Sequence, residues 1–442
     1  MQLPVTVTAL QRTGGTVLGE VTIGTKVLQT PTMAPKIKNG WEFKIICDSI
    51  ELEQPVNVTV FDIHSVNDIL RERRMNAPQR NLALQIVDKN FNRLTKDGIQ
   101  VIDPCTEAFY WNLATRDKIL KVVGFEKGVL EMLKVMNFTH YNGCLRALVF
   151  QKHLWSYVDS YVNSQALLGA DIIIPPSFMV TGSGAPIELL QLVHERTSDL
   201  LLMGKYKADI GVYIPIHSKV FSTPKKQTIE EILKFIKNAM PFKRFLFLKL
   251  AYYKGIKSDK AARKEYRAFL ERIDAIKKEQ GNKFIVFLLD AGDEGCYTLT
   301  NAVDVYSEPV DGIIGVIRGG PKEDEEDAVT TKHGKYLHPE LGQIPFSRLL
   351  QEIGDAKILP CSCPACERHH RKLGLETPAF EWNTSRRAHR INLRMRDIEI
   401  LKDAVAQGDV SDIKHKIDRG EDRNLIDLIP SKSSGGVKES NR

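Results

Sequence analysis

The chain has 442 residues, 43% of them hydrophobic and 26% charged, with a formal net charge of +7. That length allows one large domain with an appendage or two domains, and the balance is that of an ordinary water-soluble protein rather than a disordered or fibrous one. No run of 18 apolar residues occurs, and Met1-Gln-Leu-Pro lacks the basic-then-apolar layout of a secretory leader, so the expectation is a cytoplasmic protein with reduced thiols and no membrane partner.

The first 30 residues read as a hairpin, with Gly14-Gly15 as the turn between alternating Val/Thr segments. Thr30-Pro31-Thr32-Met33-Ala34-Pro35 then leads into a first buried strand. Further short apolar strands are expected at Phe43–Cys47, Gln100–Ile102, Asp171–Ile174, Ile210–Pro215, Phe245–Leu250, Phe284–Leu289 and Val303–Tyr306. Helical periodicity runs through Phe150–Leu168, Pro186–Met203, Thr228–Met240 and Lys260–Glu279. Strands without polar alternation suit a parallel sheet buried on both faces. About eight such units, each usually followed by a helix, predict an α/β fold of the (β/α)8 TIM-barrel type over residues 1–350. An open doubly wound sheet is the rival, but it calls for a Gly-rich phosphate loop, and the chain has neither G-x-G-x-x-G nor a Walker motif. The acidic run 322–327 reads as a solvated loop, and residues 406–442 as an extension ending in a flexible tail.

Three of the seven cysteines form Cys361-Ser-Cys363-Pro-Ala-Cys366. Thiols this close cannot all pair with one another, but they can converge on one tetrahedral ion. His389, on a periodic helical segment, is the preferred fourth ligand; His369 and His370 are rivals, and redox or incidental cysteines are the alternative explanation. A closed Cys3His shell has no position left for substrate, so the expected zinc is structural and braces a small subdomain at 351–405, near the eighth strand. Arg386, Arg387, Arg390 and Arg394 follow the cysteines and suggest a basic face for a phosphate backbone, with a solvated helix face as the plainer reading.

In a TIM barrel the chemistry sits at the carboxyl ends of the strands. Those ends carry Asp103, Ser177, His217, Asp290 and, on the eighth expected strand, Asp304. Asp103, Asp290 and Asp304 could face one cleft, a pattern suited to exchange at a glycosidic bond, although each also fits a loop or helix-cap role. His217 is a base, a substrate contact, or simply a satisfied strand-end imidazole.

Together, the Cys361/Cys363/Cys366/His389 pattern, the Gln29–Pro35 entry and the junction Gln165-Ala-Leu-Leu-Gly-Ala-Asp171-Ile172 resemble the tRNA-guanine transglycosylases. The resemblance spans roughly residues 15–405 and implies a TIM barrel with a zinc subdomain that exchanges guanine in nucleic acid for a 7-deazaguanine through an aspartyl–sugar intermediate. It implies Asp103 as the base-recognising, proton-handling aspartate; the strand-end reading makes Asp304 its expected catalytic partner, with Ser177, His217 and Asp290 as expected substrate contacts. The family's Asp-Ser-Gly-Gly becomes Asp103-Pro104-Cys105-Thr106, its base-reading aspartate becomes Ser177, and its glycine pair becomes Ile216-His217. Strict register on the eighth strand would put Ser307 at the nucleophile position. These departures resemble the branch that inserts 7-deazaguanines, such as preQ0, into DNA, with an accessory protein of a DNA-modification system as a further partner. Exchange into tRNA and a non-catalytic nucleic-acid-binding subunit of the same fold are the alternatives.

Overall fold

The computed structural model describes residues 5–13, 16–37, 58–62, 99–103, 170–175, 187–203, 206–222, 226–251, 259–289, 310–316, 335–339, 342–353, 359–369 and 379–408, with 52–54 and a few isolated helical positions between them. It begins with three antiparallel strands, β1 (Val5–Thr13), β2 (Thr16–Ile23) and β3 (Lys26–Thr30). Thr13 pairs with Thr16 across the first hairpin, and Gly14-Gly15, the expected turn, lies outside the described residues. A second tight turn joins Ile23 to Lys26, and Gly24 takes φ 59° there, a conformation that costs a residue without a Cβ little.

Eight parallel strands follow: β4 (Thr32–Ile37), β5 (Val58–Asp62), β6 (Ile99–Asp103), β7 (Ile172–Ile173), β8 (Asp209–His217), β9 (Phe245–Ala251), β10 (Ile285–Leu289) and β11 (Gly312–Val316). Each pairs with the next, and β11 returns to pair with β4, Gly312 opposite Thr32 through Val316 opposite Lys36. The crossover helices among the described residues are α1 (Ile187–Leu202) before β8, α2 (Lys219–Ser222) and α3 (Lys226–Ala239) before β9, and α4 (Lys260–Glu279) before β10. All nine residues of β8 are buried, as a strand covered on both faces must be.

Two expected strands are corrected. The second barrel strand is Val58–Asp62 rather than Phe43–Cys47, which lies outside the described residues. The eighth is Gly312–Val316 rather than Val303–Tyr306, a segment also outside the described residues. Local pattern favoured the wrong segment at 303–306 because two glycines weigh against a strand at 312–316. The interior requires the first of them: a Cβ at Gly312 would sit 2.7 Å from the Phe287 ring, just as one at Gly211 of β8 would sit 2.5 Å from Phe247. Those two rings stack with centroids 5.4 Å apart and fill the barrel.

Ala34, Val101, Ile172, Tyr213, Phe245, Phe247, Phe287 and Ile314 form an inner cluster, joined by Val21, Ile23 and Leu28 of the N-terminal sheet. That sheet meets the amino end of the barrel, where Lys26 pairs with Asp171 at 2.6 Å just before β7. Strand β7 is short, and the side-chain amide of Gln165 serves the backbone beyond it: it accepts from Ile174 N and donates to Ile174 O, both at 2.8 Å. At the same end, the buried carboxylate of Asp311 accepts from the Lys277 ammonium and from Val286 N at 2.8 Å, tying α4 to the start of β11. Each charge is therefore buried with a partner, the condition under which burial is tolerated.

Helix α4 shows how local sequence positions the outer layer. Ala262, Tyr266, Phe269, Leu270, Ile273 and Ile276 recur at helical spacing and are buried, while Asp259 accepts from Ala261 N at 2.9 Å and Ala262 N at 3.2 Å. Asp259→Ala is expected to lower unfolding stability by about 1 kcal/mol, since the cap's two amides lose their acceptor. Urea denaturation measures this, and an unchanged midpoint would show the cap to be idle.

Candidate functional site

Past the barrel, β12 (Lys335–His338) and β13 (Gly342–Pro345) form an antiparallel hairpin, followed by α5 (Phe346–Ile353), α6 (Pro364–His369) and the long α7 (Ala379–Gln407). Cys361 and Cys363 precede α6 and Cys366 lies within it, where Glu367 N donates to Cys363 O at 2.9 Å and turns the chain back on itself. Helix α7 delivers His389 from the other side. The four candidate ligand atoms lie within 4.8 Å of one another, and all four residues are buried, none more than 5% exposed.

The imidazole's orientation follows from its partners. His389 Nε2 lies 2.7 Å from the carbonyl of Leu337 on β12 and donates to it, which leaves the Nδ1 lone pair facing Cys363 and Cys366 Sγ, each at 3.3 Å. Tyr336 stacks on the ring at 4.8 Å with planes 12° apart, and its hydroxyl is 3.7 Å from Cys366 Sγ. Burial and then the charge of Cys366 push the Tyr336 phenol far above its ordinary range, so it remains a donor. Hydrogen bonds from Cys363 and Cys366 draw the Cys361 thiol well below its ordinary range, while the contacts of Cys366 with Cys361 and Cys363 raise its own. Three sulfurs this close need protons or a cation between them. A tetrahedral ion with bonds of about 2.3 Å to sulfur needs ligand atoms roughly 3.7 Å apart, and thiolate with imidazole is the donor set of a structural zinc. The cluster can therefore hold a metal ion, and its burial offers no path for a substrate. The hairpin from Lys335 supplies its outer contacts through Tyr336 and the Leu337 carbonyl.

Of the residues expected at the barrel mouth, Asp103 is the last of β6 and His217 the last of β8. His217 is 3% exposed, and its Nδ1 accepts from Lys219 N at 3.0 Å. Burial, with a smaller push from Lys219, lowers its pKa to about 4, so at neutral pH the ring is uncharged with its proton on Nε2. In that state the ring does not serve as a base. Ser177, Asp290, Asp304 and Ser307 lie outside the described residues. The placement of Asp304 on the eighth strand is nevertheless corrected, because that strand starts at Gly312 and contains no carboxylate. Asp62, which the sequence reading did not single out, ends β5 as the register partner of Asp103. The alternating Val58-Thr-Val-Phe-Asp62 run was the signal that could have found it.

The arginine run is also different from the expected basic face. Arg394 is 4% exposed and lies 3.4 Å from Asp397, so it is not available to a phosphate backbone. Arg387 and Arg390 are half-buried, the side chain of Arg386 lies outside the description, and Arg396 pairs with Glu53. The reason is packing: α7 buries Ala388, Ile391, Leu393, Ile398, Leu401 and Val405 along with His389, making it a core helix at this level. No helix among the described residues is long and apolar enough to cross a membrane. No protein-family model matches the chain, and no curated protein matches it.

Proposed function

We propose that this chain is a (β/α)8 transglycosylase, braced by a structural zinc, that replaces a guanine in DNA with a 7-deazaguanine such as preQ0. The observation that carries the reading is the buried Cys361/Cys363/Cys366/His389 cluster placed after the eighth strand of a cyclic parallel sheet whose third strand ends in Asp103. Zinc would supply folding energy and rigidity through these four ligands, and no reaction step passes through it. Breaking an N-glycosidic bond builds positive charge on the sugar, which a carboxylate at the mouth can stabilise or capture. Asp103 recognises the incoming base and handles its proton. Reduced thiolates in the cluster fit the cytoplasm.

DNA is preferred to tRNA as acceptor because Pro104-Cys105, Ser177 and His217 replace the residues with which the tRNA enzymes line their base pocket. A stacked guanine must be turned out of a duplex at a cost of a few kcal/mol, which contacts to the DNA backbone would offset and which salt would weaken. Exchange of labelled guanine, offered duplex DNA and tRNA in parallel, tests this. Exchange into DNA that survives excess tRNA and falls steeply with salt is expected; exchange into tRNA alone would restore the conventional activity. A second reading, a non-catalytic nucleic-acid-binding subunit, is favoured by the eighth strand Gly312-Ile-Ile-Gly-Val316, which offers no nucleophile. Duplex binding without exchange on either acceptor would support it.

A further inference from the structure

We propose that the amino end of the barrel is a docking face for the chain's own carboxyl-terminal extension, and that its occupant is the stretch Asn424-Leu-Ile-Asp-Leu-Ile-Pro430. The proposal stands whether or not the chain is a transglycosylase.

Among the described residues, the large hydrophobic side chains left well exposed are Val27 at 44%, Leu202 at 74%, Met203 at 65% and Phe242 at 81%. A single exposed apolar residue is ordinary, but these four belong to one region. Leu202 ends α1 and Met203 follows it, in the turn that enters β8. Phe242 closes the short 3-10 turn Met240–Phe242 that enters β9. Strands β8 and β9 are paired neighbours, Gly211 opposite Phe245. Helix α1 packs on α3, where His194 meets Phe235 edge-on with ring centroids 5.8 Å apart. Both turns therefore open at the amino end, side by side. Val27 joins them from β3, next to Lys26, whose ammonium holds Asp171 just before β7, the other neighbour of β8.

The surrounding charge has one sign. Turns 203–208, 240–244 and 280–284 contain Lys207, Lys243, Arg244 and Lys283 and no acidic residue. Lys207 and Lys283 are exposed. Asp209, the next acid along, is 8% exposed and lies in the field of Lys243 and Arg244. An apolar patch with a cationic rim selects an occupant that is both apolar and acidic. It also disfavours a two-fold contact with a second copy, which would set these cations against one another.

The extension starts in reach and has that chemistry. Helix α7 packs along β4 and against β1 and β2 of the sheet at the amino end, and its last turns bury Leu401 and Val405. It stops at Gly408, which takes φ 71° and donates its N–H to Val405 O at 3.2 Å. Residues 409–442 lie outside the described residues. In their sequence, Leu425, Ile426, Leu428 and Ile429 recur at the spacing of one helical face, and Glu421, Asp422 and Asp427 outnumber Arg423. Residues 409–423, fully extended, span at most roughly 50 Å. Eight strands about 4.8 Å apart close a ring roughly 15 Å across, and a helix layer adds about 10 Å on each side. The extension can therefore cross from α7 to the turns before β8 and β9. Docked there, it covers the patch and ties the helix that carries His389 to the opposite side of the barrel.

The test places the photo-crosslinking residue p-benzoylphenylalanine at position 242 of the full chain, irradiates dilute protein, and maps the adduct after trypsin digestion. An adduct within one chain to the peptide 424–432 is expected. Replacing Leu425→Ser together with Leu428→Ser should lower its yield on the order of tenfold or more, since two apolar anchors are lost. Asp427→Lys should lower it at low salt and less so at high salt. Retention of the adduct in the double serine protein overturns the proposal, as does irradiation that yields no adduct to 424–432. An adduct between two chains overturns it too, and makes the face a contact between copies. Sedimentation of the wild-type protein with phosphatidylglycerol vesicles, lost in Phe242→Ser, would overturn it in favour of a lipid surface.

Discussion

Cys363→Ser is expected to abolish metal binding and to lower the melting temperature by about 10 °C or more, with His389→Ala behaving alike. Both residues are at most 1% exposed and belong to a cluster whose ligand atoms lie within 4.8 Å of one another. A serine oxygen is a poor substitute for a thiolate on a soft ion, and the remaining sulfurs would be left buried with no cation to balance them. The loss should spread beyond the cluster. The cysteines, Tyr336, Leu337 and the buried face of α7 share one hydrophobic cluster with the outer layer of the barrel, including Leu246, Leu248 and Ile313. Elemental analysis and thermal denaturation check the prediction. Well-folded wild-type protein without zinc would refute it. Metal should also be released as pH falls, because protons compete for the thiolates and for His389 Nδ1.

Asp103→Asn is expected to slow base exchange roughly 10²- to 10⁴-fold while leaving the fold intact. The replacement keeps the shape of the side chain and removes only its ability to carry a proton. Asp103 is the last residue of β6, after the ladder pairs of Val101 and Ile102 with β7, so the change falls where the strand leaves the packed interior. Labelled-guanine exchange across a pH series, with melting temperature as control, measures the effect. Exchange at the wild-type rate would remove Asp103 from the chemistry. A parallel collapse of stability would instead make it a structural residue.

The cysteines of the candidate metal cluster were legible in the sequence because C-x-C-x2-C is a local pattern whose chemistry depends on spacing alone. Six of the eight barrel strands and the helices α1, α3 and α4 were legible for a similar reason, since burial on both faces leaves uninterrupted apolar runs and helical burial a 3.6-residue period. What failed was whatever depended on a distant partner. Gly312–Val316 looks a poor strand until the Phe287 ring is seen to occupy the space its first glycine leaves. Asp304 fell with the misplaced eighth strand. The arginines of α7 look solvent-facing because charge is normally exposed, yet Arg394 is buried against Asp397 by packing from several elements. Sequence determined which segments must be buried and which donors could share an ion. Tertiary structure decided which strand follows which and which side chains share a face, because strand pairing and close packing are settled between elements rather than within them.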